Sequence, residues 1–469
     1  MTNSERLRAL PSVDVLLRHE NVVTLRDHVT QAQITTWVRA VVQECREHLL
    51  KDQLAINTCL TGWIVDRVLQ KANADLGQRL QPVINATGVV LHTNLGRSPM
   101  PEQAIRAAEN ASRYTNVELD LESGRRSKRG HRVMALLADL TGAEDALVVN
   151  NCAAATVLVL QALAAGQEVV VSRGQLVEIG GGFRLPDVFR AAGVTLREVG
   201  TTNRTYLRDY EAAVNENTGA VIRVHRSNFS LSGFVTEPGI DELVQMERPD
   251  SVAVIDDLGS GSMIDMTPYG LEEPNVIDSV RSGADVSLFS GDKLFGGPQA
   301  GILVGKKRWI EKLRRSPIMR AMRVDKLTLA ALEATTEIHL SGKALTELPT
   351  LRMITTNPDT IRQRCETLIS RINHPDIAKL IPCESQVGGG SVPGFNLASF
   401  AVQITGFPPH HLARHLRTGE TPVQTRVTDD SLILDLRTVS DSQLPVLATN
   451  INAAIAKSEI PANTEPVSE

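Results

Sequence analysis

The stretch Ser287-Leu-Phe-Ser-Gly-Asp-Lys-Leu-Phe-Gly-Gly-Pro-Gln-Ala-Gly301 sets a lysine, Lys293, three residues beyond an apolar run that ends at Ser290. Run, glycine-rich turn and second run read as strand, turn and strand. In a parallel sheet, ligands bind outside the carboxyl ends of strands. Burial there lowers a lysine's pKa and makes its amine a Schiff-base nucleophile. Taken alone, the segment fits an ordinary surface lysine in a hairpin better.

A second stretch, Val252-Ala-Val-Ile-Asp-Asp-Leu-Gly-Ser-Gly261, is an apolar strand that closes on Asp256 and Asp257. A carboxylate at a strand end can pair with a pyridinium nitrogen. Such a charge-assisted bond contributes roughly 1.5–3 kcal/mol, and it keeps the ring protonated and able to accept electrons. Paired acids also suit magnesium, but no Walker A motif is present to bring a nucleotide. The third stretch, Asn150-Asn-Cys-Ala-Ala-Ala-Thr156, joins a strand to a helix. Small residues at Asn151, Cys152 and Ala153 let backbone N–H groups approach a phosphate at a helix start. The chain order of phosphate cup, carboxylate and lysine suits a pyridoxal-phosphate site. The glycines do not spell the GxGxxG of a nicotinamide fold.

Two arginine groups stand apart. Arg125, Arg126, Lys128, Arg129 and Arg132 crowd around Gly130, where a solvated charged loop and a functional basic cluster fit equally. Arg320 and Arg323, three apart, are expected to share a helix face and to grip an oxyanion through forked hydrogen bonds. The histidines, His410 and His411 included, lack metal-ligand spacing, so no metal site is expected.

The elements that must position these residues are α/β. Buried strands are expected at Ala146–Val149, Glu168–Val171, Val194–Val199, Ala220–Val224, Val252–Ile255, Val286–Phe289 and Ile302–Val304. Helical stretches between them, such as 152–164 and 206–215, imply a mainly parallel, doubly wound sheet. Residues 1–82 read as a helical domain, with Ser12 placed to cap a short helix. Residues 83–325 form the large α/β domain. Residues 326–457 form a smaller α+β domain, with a long helix at Lys326–Leu340 and a strand at Ser431–Leu436. Residues 458–469, rich in Pro, Ser, Thr and Glu, read as a disordered tail.

A chain of 469 residues with 42% hydrophobic residues has room for a large core and two or three domains. The net charge of −5 argues against a general basic coat but leaves room for a local phosphate-binding patch. Cys45, Cys59, Cys152, Cys365 and Cys383 form no CxxC pair, which argues against a disulfide framework or zinc and for a reducing cytosol. The N-terminus lacks the basic-then-apolar order of a signal peptide. The longest apolar run, Ala153–Ala165, falls short of the about 20 residues a membrane span needs. A soluble cytoplasmic protein is the expectation.

Across almost its whole length the chain resembles the bacterial selenocysteine synthases, the L-seryl-tRNA(Sec) selenium transferases. The resemblance is carried by LPSVDVLL near the start, INATGVVLHTNLGRSPM at 84–100, YTNVELDLESGRRSKRGHR at 114–132 and SRGQLVEIGGGFRLPDV at 172–188. VGTTNRT at 199–205, RVHRSNFSLSGF at 223–234, DLGSGS at 257–262, SGDKLFGGPQAGILVG at 290–305 and RAMRVDKLTLAALEAT at 320–335 extend it. The resemblance implies a fold-type I pyridoxal-phosphate enzyme of the aspartate-aminotransferase class. It implies that Lys293 carries the cofactor and favours Asp257 over Asp256 as the ring-nitrogen partner. It adds Ser290 and Asn228 to the cofactor-binding set of Asn151, Cys152 and Ala153. Arg97, Arg320 and Arg323 would hold the donor selenophosphate, and Asp292 would be an active-site carboxylate. The N-terminal helices would bind tRNA, and the subunits would assemble as a homo-oligomer, a ring of ten built from dimers.

The implied reaction starts when the seryl amine displaces Lys293, which then removes the Cα proton. The hydroxyl leaves with help from Lys293 or Asp292, giving a dehydroalanyl intermediate to which selenium adds. Two departures from the expected pattern are Gln175, where an acid is expected, and the doubled acid Asp256-Asp257. Two other readings stay open: a pyridoxal-phosphate lyase acting on a small amino acid or amino sugar phosphate, and a non-catalytic tRNA-binding protein of the same fold.

Overall fold

The computed structural model describes residues 3–459 apart from 52, 56, 57 and 78. Most of the segment expected to be a tail therefore lies outside the described residues. The chain divides into two compact units, residues 1–83 and 84–469.

The first unit is helical. Ser12 caps the short helix Val13–Leu17, its side chain accepting from the Val15 N–H. Helix α1 (Gln31–Leu50) is capped by Thr30, and it buries Ile34, Trp37, Val38, Val41, Cys45 and Leu49. That spacing puts one apolar stripe on the helix. The stripe packs on Ile64, Val65, Val68 and Ala72 of α2 (Leu60–Leu76). Arg6 is buried and donates to the carbonyls of Leu54 and Ala55 at 3.0 and 2.7 Å, tying the start of the unit to the α1–α2 connection.

The second unit holds a seven-stranded sheet, and each of the seven strands expected in the large domain is one of its members. In chain order these are β1 (Asp145–Val149), β2 (Glu168–Ser172), β3 (Thr195–Val199), β4 (Thr218–Val224), β5 (Ala253–Gly259), β6 (Val286–Ser290) and β7 (Gly301–Gly305). Their spatial order is β1-β7-β6-β5-β4-β2-β3. All pairings are parallel except that β7 runs antiparallel between β1 and β6. Near-continuous burial of Val, Ile, Leu and Ala along the six strands other than β3 is what a sheet covered on both faces demands; β3, expected to be buried, lies at the edge and exposes Thr195, Arg197 and Glu198. Helix α3 (Cys152–Ala164) covers one face, burying Leu158, Val159, Leu160 and Leu163. Helix α4 (Lys326–Leu340) begins at Asp325, whose carboxylate accepts from the N–H groups of Leu327 and Thr328.

A second, five-stranded sheet packs in the C-terminal part. Its order is Ile84–Ala86, Val423–Val427, Leu432–Asp435, Asn396–Ile404 and Ala378–Gln386. The first strand comes from the start of this unit, so its two ends are joined in one sheet. Among the described residues no helix is long and apolar enough to cross a membrane.

Candidate active site

Lys293 lies just past the carboxyl end of β6 and is buried. Its loop is fastened on both sides. The Gly291 N–H donates to the Ala300 carbonyl at 2.8 Å, and the Leu294 N–H donates to the Ser260 carbonyl at 2.9 Å. Gly259 faces the lysine at φ +66°, and a Cβ there would stand 3.9 Å from Lys293 Nζ. The β5–β6 register shifts between Asp257 and Gly259. Such a bulge re-aims side chains at a strand end. Among the described residues, no hydrogen-bond partner of Lys293 Nζ is found.

The two neighbouring acids point opposite ways, as consecutive strand residues must. Asp256 is held by a bidentate pair from Arg223, at 2.8 and 2.7 Å, and by the Ser279 hydroxyl. Asp257 instead turns toward α3. Its Oδ2 accepts from Thr156 Oγ1 at 3.2 Å, and Cys152 Sγ stands 4.0 Å from Oδ1. Cys152 and Thr156, four apart, share that helix face. Burial pushes the Asp257 carboxyl up to about 7 against the pull of the Thr156 hydroxyl and the Lys293 charge. Burial, and then the Asp257 charge, push the Cys152 thiol upward.

Asn151 caps α3, its side chain accepting from the Ala154 N–H at 2.8 Å. The helix therefore opens at Cys152 and Ala153 with N–H groups that the helix itself cannot satisfy. Gly301 of β7 is pressed against this turn: a Cβ there would lie 2.2 Å from the Asn151 carbonyl oxygen. No other residue type fits without moving the start of α3.

Asp292 is the centre of a second cluster. It accepts from Arg97 Nη1 at 2.8 Å and from Ser290 Oγ at 2.6 Å. Its carbonyl accepts from the Ser98 N–H at 3.2 Å. Arg97 takes φ +62°, a left-handed conformation that costs a non-glycine residue on the order of 1–3 kcal/mol. The ion pair and the neighbouring backbone bond hold it there.

The remaining expected residues lie elsewhere. Asn228 is exposed, and its amide donates to the Glu178 carbonyl at 2.6 Å. Earlier on the same segment Ser227 is buried, and half-buried His225 keeps its Nδ1 out of solvent. Arg320 and Arg323 do not share a helix face. A short 3-10 helix, Pro317–Arg320, ends at the first, and the second sits in the irregular segment before α4. Both are exposed, and neither bonds to Lys293, Asp257 or Asp292. Arg323 lines a cavity of about 720 Å³ with Arg126, Lys128, Arg129 and Arg314, away from Lys293. Arg125, Arg126 and Lys128 of the basic run are exposed, as a solvated loop would be, while Arg129 and Arg132 act as a staple. Arg129 donates to the Val324 carbonyl at 2.8 Å, and Arg132 pairs with Glu333 and Glu337 of α4. Gln175 is fully buried and uses its amide oxygen to accept from the Val224 N–H at 2.9 Å, while its nitrogen donates to Glu237.

Sequence reasoning missed Glu273. Its side chain is 1% exposed, and its Oε2 stands 3.9 Å from His225 Nε2. The His225 N–H donates to the Asp257 carbonyl at 2.8 Å, which fixes it beside that acid.

Known proteins resemble this chain over most of its length. The family described as L-seryl-tRNA selenium transferase matches residues 83–440, and a second, selenocysteine synthase N terminal, matches residues 7–46. An L-seryl-tRNA(Sec) selenium transferase of Nitratidesulfovibrio vulgaris is 45% identical over 96% of this chain and 98% of its own. One of Alkaliphilus metalliredigens is 43% identical over 94% of this chain and 97% of its own. Among solved structures, a D-glucosaminate-6-phosphate ammonia-lyase superposes with a TM-score of 0.57 at 23% identity, covering 82% of this chain and 98% of that one. The fold is that of the fold-type I pyridoxal-phosphate enzymes.

Proposed function

The chain belongs to the L-seryl-tRNA selenium transferase family, and from that premise we propose that it converts L-seryl-tRNA(Sec) to L-selenocysteinyl-tRNA(Sec) in the cytoplasm, with selenophosphate as donor and pyridoxal 5'-phosphate held on Lys293. The observation that carries the reading is the meeting of Lys293, Asp257 and the first turn of α3 at one end of the large sheet.

The residues around Lys293 fit that cofactor. The N–H groups of Cys152 and Ala153 suit its phosphate. Asp257, a buried carboxyl with Thr156 as its main hydrogen-bond partner, suits a ring N–H⁺. His225 Nδ1, Ser227 Oγ and Ser260 Oγ are buried without a partner in the described chain, as expected of a lined polar site. When bound, the cofactor supplies a conjugated sink for the electrons left at Cα.

The chain's own groups do the rest. The Lys293 amine binds the cofactor, then takes up and holds the Cα proton. Lys293, carrying that proton, or Asp292, oriented by Arg97 and Ser290 one residue away, assists the serine hydroxyl to depart as water. The seryl carboxyl is esterified to tRNA, so the site needs no arginine for a free carboxylate. Arg97, Arg320 and Arg323 bind selenophosphate. Because Arg320 and Arg323 make no bond to the Lys293 cluster within one chain, the reading includes a homo-oligomer, a ring of ten built from dimers, in which the pair serves a neighbouring site. Residues 1–82 form the tRNA-binding domain; the match of residues 7–46 to the family's N-terminal part supports this.

The direct test incubates the full chain with pyridoxal phosphate, seryl-tRNA(Sec) and selenophosphate and analyses the aminoacyl group. Selenocysteine is the expected product; recovery of serine alone overturns the reading. In the same assay, Arg97→Lys and Arg320→Lys keep the charge but lose the fork. Each should weaken donor affinity by roughly tenfold or more. Cofactor binding should persist in both, and loss of the serine hydroxyl should persist in Arg320→Lys, because Arg320 has no bond to Asp292. Unchanged donor affinity in both variants removes these arginines from donor binding.

A further inference from the structure

Glu273 is a buried acid that the scheme above does not use. It lies in the loop after β5, and both its oxygens are buried with no hydrogen-bond partner among the described residues. The Ser260 hydroxyl and the Val392 N–H come close enough to favour its charge, yet neither meets hydrogen-bond geometry. The one ring it approaches is that of His225, at 3.9 Å, an ion-pair distance slightly beyond a direct bond. His225 in turn is pinned by its backbone to Asp257, and its Nδ1 is buried and unpartnered. Ser260, beside Glu273, accepts from the residue after Lys293. A buried, unpartnered carboxyl and a half-buried imidazole whose Nδ1 is buried and unpartnered thus sit together against the lysine loop. Leaving each alone is costly; sharing one proton resolves both.

We infer that Glu273 and His225 act as a pair sharing one proton, which makes Glu273 a positioning residue that sets the tautomer of an imidazole facing the Lys293 site. When the carboxyl carries the proton, it donates to Nε2. The neutral imidazole then bears its hydrogen on Nδ1. That N–H is a buried donor with no acceptor in the described chain, suited to an anionic oxygen of cofactor or substrate. When Glu273 ionises, it accepts from Nε2–H instead, and Nδ1 ceases to donate. The charges bearing on the pair agree with this order. Burial pushes Glu273 up to about 7, with Lys293 opposing. Burial and then the charges of Lys293, Arg223 and Arg226 pull His225 down to about 4, with Asp256 opposing.

The inference rests on the proposed use of pyridoxal phosphate at Lys293, and the test separates the two. The full chain is loaded with pyridoxal phosphate, and its visible absorbance is titrated from about pH 5.5 to 8.5, a window that brackets an acid near neutrality. The wild type should change as Glu273 ionises. Asp257 also titrates near 7 in the cofactor-free chain, so the comparison of variants decides. Glu273→Gln can still donate to Nε2 and should keep the low-pH spectrum across the range. Glu273→Leu cannot, and should show the high-pH spectrum throughout, with cofactor affinity lowered about tenfold for the lost hydrogen bond. If instead Nδ1 meets the substrate, the same pattern appears in the pH dependence of KM for seryl-tRNA, with the spectrum unchanged. A Glu273→Gln protein that titrates like wild type in both measurements overturns the inference. Failure of borohydride to fix the cofactor on wild-type Lys293 overturns the broader reading instead.

Discussion

Lys293→Ala should yield a colourless protein that no longer retains pyridoxal phosphate covalently and has lost selenium transfer by on the order of 10⁴-fold. The lysine is asked both to anchor the cofactor and to carry the Cα proton, so alanine removes two functions at once. The fold should survive. Lys293 donates no hydrogen bond to the described chain, and its loop is fixed through backbone groups of Gly291 and Leu294. Borohydride reduction and peptide mapping check the claim: wild type carries the adduct on Lys293, and the variant carries none. An adduct on another lysine, with activity retained, would remove Lys293 from the centre of the site.

The two neighbouring acids should separate activity from stability. Asp257→Asn should lower selenium transfer by about 10²-fold or more, because the ring nitrogen loses the charge that keeps it protonated. Its effect on the cofactor-free fold has the opposite sign. Burial raises the Asp257 pKa from 3.8 to about 7. The folded state therefore binds more protons than the unfolded state between those values, and stability falls as pH rises through them. Asparagine removes that loss, so cofactor-free Asp257→Asn should melt above wild type at pH 8 and near it at pH 4, with a difference on the order of 4 kcal/mol at the higher pH. Asp256→Asn should do the reverse. It leaves the Arg223 guanidinium without its bidentate carboxylate, at a cost of about 3 kcal/mol, while the acid facing Lys293 stays intact. Melting curves at the two pH values, set beside turnover, check both. Equal loss of activity in the two variants would show that the strand's alternation does not divide their roles.

The frame of the site was legible because buried parallel strands announce themselves. Six of the seven strands of the large sheet coincide with buried apolar runs, the edge strand Thr195–Val199 being largely exposed, and the Lys326–Leu340 helix has the expected ends. The different duties of Asp256 and Asp257 follow from strand alternation, but which one faces Lys293 depends on what each face packs against. The expectation for Arg320 and Arg323 failed for a local reason. Pro317 starts a single 3-10 turn that stops at Arg320, and Asp325 starts the next helix, so the two arginines never share one. Glu273 was invisible because Leu-Glu-Glu-Pro-Asn reads as a surface loop. Only the tertiary fold buries its second acid, and leaves Glu272 exposed.

The antiparallel strand β7 also has a consequence for how the chain matures. Its first residue, Gly301, registers with Val149 at the end of β1 on one side and with Ser290 at the end of β6 on the other. Nothing else in the sheet joins those two strands. A nascent chain that has emerged only as far as Ala300 therefore holds every residue of the phosphate turn and the lysine loop, yet lacks the strand that sets them at one level. The closing pairing spans about 150 residues of sequence, and long-range pairings form late because the loop entropy must be met before contacts reward it. Competence for the cofactor should thus arrive abruptly during synthesis, when the last strand slots in, and a chain stalled earlier exposes two unpaired strand edges.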